Sequence, residues 1–124
     1  HSNARGACFH LRNLSDEMIR QLAERGGVTG INFCPSFLCE EEPATKKAST
    51  MDMVRHMKYL RNVGGIDIIG LGTDFDGFSG ETDVPDTAHM QHLADVMSHD
   101  GFTDEEIEKV FSKNVLRVFR ECWK

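Results

Sequence analysis

Among the side chains able to do chemistry, His1, Arg12, Asn32 and the pair Asp74 and Asp76 form the set with the most consistent purpose. An imidazole is a ready zinc ligand, a guanidinium grips a carboxylate with two parallel hydrogen bonds, and a carboxylate serves as base or ligand. Brought together, they suit a metal-assisted reaction on an anionic substrate. Each also has a plainer reading. Asp74 and Asp76 can form a solvated turn or cap a helix, Arg12 can be half of a surface ion pair, and His1, at a chain terminus, can be disordered. Other groups point away from chemistry. His89 and His92 lie three apart on a helical stretch with no evident third ligand, which favours an exposed face. Met51, Met53 and Met57 have the spacing of core and capping residues, and Glu40-Glu41-Glu42 reads as a solvated loop.

The elements that must position these residues follow from periodicity. Asn13 or Ser15 can cap a helix over 13–25 whose apolar face is Met18, Ile19, Leu22 and Ala23, stopped by Gly26-Gly27. Val28 to Phe33 is a short apolar run of strand length. From Cys34 to Ser49 no period is sustained, which predicts a long surface loop, and such loops are often functional. Thr50 then caps a helix carrying Met53, Val54, Met57, Leu60 and Val63, ended by Gly64-Gly65. Residues 66–72 form a second, nearly continuous apolar strand, as expected for a parallel strand covered on both faces. A loop from Thr73 through Pro85 follows, then helices over 88–97 and 103–122. The last has a capping box at Thr103-Asp104-Glu105-Glu106 and a core face of Ile107, Val110, Phe111, Val118, Phe119 and Cys122.

Alternating helix and strand is the order of an α/β fold with a parallel sheet. Loops leaving the C-terminal ends of such strands gather at one face, so residues 1–12, the turn after Phe33 and the loop with Asp74 and Asp76 are expected to meet there. Two parallel strands alone leave open edges and uncovered faces, which argues that this chain is a segment of a larger α/β fold or associates to complete one.

The bulk properties agree. At 124 residues there is length for one domain, and with 40% hydrophobic and 27% charged residues and no apolar run near the roughly 20 residues of a membrane span, transmembrane, collagenous and disordered classes are excluded. A net charge of −6 makes nucleic acid a poor partner. Starting at His1 with neither an initiator Met nor a signal peptide, the chain does not declare its compartment. The four cysteines, Cys8, Cys34, Cys39 and Cys122, lack zinc-ribbon pairing and make a reduced, cytoplasmic state the default, although Cys8 can reach Cys34 or Cys39 if their loops share one end of the sheet. Association into a homo-oligomer is left open.

Four stretches in order, His1-Ser2-Asn3-Ala4 with Arg12-Asn13-Leu14, then residues 26–33, Gly-Leu-Gly-Thr-Asp-Phe-Asp-Gly at 70–77, and Asn114 to Phe119, closely resemble the C-terminal third of the membrane (renal) dipeptidase family, zinc metallodipeptidases of the amidohydrolase superfamily. The resemblance covers essentially the whole chain. It implies the C-terminal segment of a TIM-type (β/α)8 barrel: one segment, 1–124, with the loop after strand six, strands seven and eight, and the final helices. It implies a site of two zinc ions joined by a bridging carboxylate and a bridging hydroxide. By this resemblance His1 matches the last histidine ligand and Arg12 the arginine that binds the carboxylate of a dipeptide. Asp74 matches the acid-base aspartate that also holds the free amine, and Asn32 and Phe37 fall on the pocket wall. The strand-one His-x-Asp pair, the bridging glutamate and the strand-five histidine are not in this chain, so the segment alone is expected to bind zinc poorly and hydrolyse nothing, its partner being the N-terminal part of the barrel.

Two other readings compete. Asp74-Phe75-Asp76-Gly77 after a strand matches the DxDG motif of haloacid-dehalogenase-like phosphatases, with Asp74 as nucleophile and Mg²⁺ as cofactor. That reading lacks the downstream lysine and acidic magnesium pair on further strands. The other is a non-catalytic α/β binding module.

Overall fold

The computed structural model describes residues 1–39 and 47–124; the acidic triplet Glu40-Glu41-Glu42 lies outside the described residues. Helix α1 (Asp16–Glu24) starts at Ser15, whose hydroxyl accepts from Met18 N–H at 3.3 Å. Strand β1 (Thr29–Ile31) is followed by a short helix α2 (Pro35–Leu38), strand β2 (Lys47–Ala48) and helix α3 (Thr50–Gly64). A 3₁₀ turn over Ile66–Ile68 leads into β3 (Ile69–Leu71), and after it come β4 (Glu81–Thr82) and α4 (Met90–His99). The chain ends in α5 (Asp104–Glu108), a π-helical turn (Lys109–Lys113) and α6 (Asn114–Cys122).

β1 and β3 pair in parallel, with Thr29, Gly30 and Ile31 opposite Ile69, Gly70 and Leu71. The ladder runs on toward the C-terminal ends, where Phe33 N–H donates to Thr73 O at 3.0 Å. A second small parallel pair joins β2 to β4. The result is an α/β fold of two small parallel sheets flanked by helices. Its core is one cluster in which Ile19, Ile31, Phe33, Leu38, Leu60, Ile69, Leu93 and Met97 are buried, with Met53 and Met57 on the inner face of α3; Met51 is exposed.

Five sequence expectations change. The strand expected over 66–72 is a 3₁₀ turn over Ile66–Ile68 followed by a strand only over Ile69–Leu71. Ser49, not Thr50, caps α3, because Asp52 three residues on completes a reciprocal capping box with it. The stretch 34–49 holds α2 and β2, and the loop 73–85 holds β4, elements of two to four residues that exist only through their partners. The helix over 103–122 is interrupted by the π-helical turn. That wide turn rotates the remaining helix by about one residue, so Val115 meets Gly70 while Phe119, at 45% exposure, and Cys122 turn outward. Phe119 stacks instead on Trp123, with 4.8 Å between ring centroids.

His89 and His92 are exposed, as expected, and His89 Nδ1 pairs with Asp86 at 2.6 Å. Cys8 Sγ lies 3.8 Å from Ser36 O, so the loops carrying Cys8, Cys34 and Cys39 do meet at one end. Among the described residues no helix is long and apolar enough to cross a membrane.

Candidate active site

Three segments converge where β1 and β3 end. The N-terminal segment runs beside β1, since Ser2 N–H donates to Gly30 O at 3.2 Å and Thr29 Oγ1 donates to Ser2 O at 2.7 Å. Gly30 and Gly72 face each other closely: a Cβ on Gly30 would sit 2.7 Å from Gly72 Cα. With no side chain there, His1 reaches β3, and its Nδ1 lies 2.5 Å from Gly72 O. A carbonyl partner makes Nδ1 the protonated nitrogen and leaves the Nε2 lone pair for another group.

Asp74 lies two residues beyond Gly72. Its φ is +66°, as is that of Asp76. A left-handed conformation is tolerated by Asp better than by most residues but still costs free energy, and such backbone concentrates at functional sites. A Cβ on Gly77 would lie 2.2 Å from Asp74 Oδ1, so a side chain there would push the Asp74 carboxylate out of this position. Asp74 Oδ2 accepts from Asn32 Nδ2 at 3.1 Å, while Asp76 is exposed and has no hydrogen-bond partner among the described residues.

Asn32 is fully buried, and every polar group on it is engaged. Its Oδ1 accepts from Cys34 N–H at 2.8 Å and its backbone N–H donates to Asn3 Oδ1 at 2.7 Å. Asn3 Nδ2 in turn donates to Asn32 O at 2.9 Å and to Phe37 O at 3.3 Å, and Asn13 Nδ2 donates to Phe37 O and to Cys8 O, each at 2.9 Å. Two buried asparagines, Asn3 and Asn13, therefore lace the N-terminal segment to the loop after β1, and Asn32 carries the tie on to Asp74. The sequence reading did not assign them to the site, treating Asn13 only as a helix cap; their crowding beside His1 and Arg12 was the available signal.

Arg12 joins the group indirectly. Its Cζ lies 5.1 Å from the centroid of the Phe37 ring, the geometry of a cation–π contact, and its guanidinium makes no hydrogen bond to another side chain among the described residues. The fold thus brings Asn32 and Asp74 into contact, ties His1 to the backbone two residues before Asp74, and holds Phe37, with Arg12 over its ring, to the N-terminal segment through Asn3 and Asn13.

Buried beneath these loops, His56 was not foreseen either. Its Nδ1 accepts from Ala4 N–H at 3.2 Å and its Nε2 faces Leu38 O at 2.9 Å, so it bridges the N-terminal segment to α2 as a neutral ring. Burial pushes its pKa down to about 4, against a smaller upward pull from the Leu38 carbonyl.

Whether this set fits a metal centre is decided by its donors. A histidine whose Nδ1–H is fixed on a backbone carbonyl is oriented as ligating histidines are, and His1 meets that requirement. Among the described residues no three His, Cys, Asp or Glu side chains lie close enough to hold an ion together. The described residues therefore fit one corner of such a centre.

The chain is similar in sequence and fold to known proteins. The profile of the membrane dipeptidase family, peptidase family M19, matches residues 1–123. A Klebsiella pneumoniae protein, described as an uncharacterised protein in the pqqA 5′ region, is 34% identical over 123 residues, covering 99% of this chain and 45% of its own length. Dipeptidase tcpJ of Claviceps purpurea is 33% identical over 122 residues, covering 98% of this chain and 28% of its own. This chain thus spans less than half the length of these curated relatives. Among solved structures, the metallo peptidase dipeptidase AC superposes with a TM-score of 0.91 at 28% identity, over 99% of this chain and 36% of that one. A Rhodobacter sphaeroides metallo peptidase, solved with a phosphinate mimic of the dipeptide L-Ala-D-Ala, superposes at 0.84 with 28% identity, over 97% and 34%. With a family profile spanning nearly every residue and two metallopeptidases of the same shape, the chain belongs to the membrane dipeptidase family.

Proposed function

We propose that residues 1–124 are the C-terminal segment of a (β/α)8 barrel whose complete form is a zinc-dependent dipeptidase. The observation that carries this reading is the bond from His1 to Gly72 O, because it sets a metal-ready imidazole two residues from Asp74 on a strand that lies far away in sequence. Family membership and the dipeptide mimic bound to the Rhodobacter sphaeroides relative support the substrate class.

In this reading His1 offers Nε2 to one of two zinc ions, the remaining ligands coming from the N-terminal part of the barrel. The chemistry that zinc supplies when bound is a water acidic enough to attack near neutral pH and a polarised scissile carbonyl. Arg12 takes the carboxylate of the dipeptide's C-terminal residue, and Phe37 forms the wall beside it. Asp74, oriented by Asn32, accepts the proton of the attacking water, passes it to the leaving amine and pairs with the free amino group of the substrate. An arginine at one end and an aspartate at the other measure one peptide unit; a longer chain leaves one of these charges unpaired.

The test is an assay of the full-length protein and of the 124-residue chain on Gly-D-Phe with added zinc. Turnover by the full-length protein, lost with a chelator and restored by zinc, is expected, with none from the segment alone. Turnover by the segment would overturn the division of labour, and none from either would overturn the function. The phosphatase reading is not favoured, because after Asp76 the chain offers only the two-residue strand β4 and helices, where that chemistry needs further strand-borne groups.

A further inference from the structure

Arg12 sits on an exposed turn outside any helix or strand, yet a carboxylate clamp has to be held still. A free arginine side chain gives up rotamer freedom when fixed, and a mobile backbone adds to that cost at the moment of binding. Two residues with no role so far address this. Arg5 reaches across the turn: its Nη2 donates to Leu11 O at 3.1 Å and to Asn13 O at 2.8 Å, and its Nε donates to Asn13 O at 3.1 Å. Those carbonyls flank Arg12 on both sides. The Arg12 N–H itself donates to His10 Nδ1 at 3.1 Å, and the His10 ring meets the Phe37 ring edge-on, 4.6 Å between centroids. Phe37 is the ring that carries the Arg12 guanidinium, and its own carbonyl is pinned by Asn3 and Asn13.

We propose that Arg5 and His10 are positioning residues for Arg12: Arg5 fixes the backbone on either side of it, and His10 fixes its N–H and the aromatic shelf under its guanidinium. This rests on the reading of Arg12 as the carboxylate clamp. The planar fork matters, since one guanidinium spans two carbonyls where an ammonium is a single point donor. Neither residue touches the substrate, so their effect is confined to how well its carboxylate is held.

A general loosening of the loop would slow all substrates alike, whereas misplacing the clamp penalises only a substrate with a free carboxylate. In the full-length protein, kcat and KM are measured for a dipeptide and for its C-terminal amide. Arg5→Lys should raise KM for the free acid about tenfold, the worth of one charge-assisted hydrogen bond, while moving kcat far less and shrinking the acid-over-amide preference. His10→Ala should shift both in the same direction by a smaller factor, and His10→Asn, whose side-chain oxygen can accept the Arg12 N–H, should recover most of the loss. Equal losses on acid and amide, or an unchanged KM in both variants, overturn the proposal. Arg12→Met separates the two levels of the argument. If it collapses the preference while Arg5→Lys and His10→Ala leave it intact, the clamp stands and the positioning falls. If Arg12→Met leaves the preference as it was, the clamp reading fails and takes the positioning with it. Should Arg5→Lys not fold, the His10→Ala and His10→Asn pair decides alone.

Discussion

Where β1 and β3 begin, Asn114 Nδ2 donates to Ile66 O and Ile69 O, both at 2.8 Å, and Arg117 donates to Gly26 O at 2.6 Å and Asp67 O at 2.9 Å. Where the same strands end, the asparagines are just as fully engaged, but His1 Nε2, the Arg12 guanidinium and the Asp74 carboxylate retain capacity, and among the described residues the two non-glycine positions with positive φ are found there. Asparagine and arginine occur at both ends. What separates a brace from a candidate catalytic group is not residue type but whether its polar atoms are used up by the fold. Variants at the first end should therefore cost stability and leave the rate of folded molecules alone, and variants of the groups with spare capacity at the second should do the reverse.

The largest effect is expected at Asp74. Asp74→Asn keeps an oxygen for Asn32 and an amino acid that tolerates positive φ, so on the proposed reading the full-length protein should fold with its metal content unchanged while kcat drops by about 10²–10⁴, the usual worth of a general acid-base group. Metal analysis alongside steady-state kinetics checks this; an unchanged rate would remove Asp74 from the mechanism and erase the contrast between the ends.

Acid should loosen the catalytic end first. His56 titrates near 6.5 when unfolded and near 4 when buried, so the unfolded chain binds its proton earlier. Its contribution is complete above about pH 6.5 and is lost as pH falls toward 4, on the order of 3 kcal/mol over the interval. Denaturant titrations at pH 7, 5.5 and 4.5 read the loss, and His56→Gln should flatten it. Hydrogen exchange would locate it: the Ala4 amide, which His56 accepts, should lose protection before the amides near Asn114 do.

At the other end, Asn114→Ala removes the buried donor that bridges the Ile66 and Ile69 carbonyls, the former keeping only Ile69 N–H, and should lower stability by about 2 kcal/mol. Thermal melts measure the loss, and kcat per folded molecule should stay within experimental scatter of the wild type. A large fall in kcat with an unchanged melting temperature would show that the motif Asn114 to Phe119 does more than bind α6 to the sheet.

Much of this was legible in the residues. α1, β1, α3 and β3 follow from apolar periods and glycine stops, and Asn32 and Asp74 follow from the C-terminal ends of the two apolar runs. What escaped lacks a period to read. α2, β2 and β4 have two to four residues and are fixed by distant partners, and the π-helical turn is set by where Asn114 finds its carbonyls. Residues such as Asn3 and His56 look like ordinary polar positions until the fold buries them and shows that each bridges separate loops. Sequence spacing tells which side chains reach the site; it does not tell which of them hold the others.

The smallest expected effect bears on that last distinction. Asn32 is a brace with all its polar groups engaged, yet it is the one that touches Asp74, so it lies on the boundary between the two kinds of residue. Asn32→Asp preserves the acceptor for Cys34 N–H and the shape of the side chain but places a second carboxyl where the amide donated at 3.1 Å. Two carboxyls that close resist joint ionisation, and the one that must act as base is harder to deprotonate. The acidic limb of the kcat profile should move up by about one pH unit, slowing the enzyme about tenfold on the acid side and far less above neutrality. A uniform loss at every pH would instead mean that Asn32 matters for holding the loops together and not for tuning its neighbour.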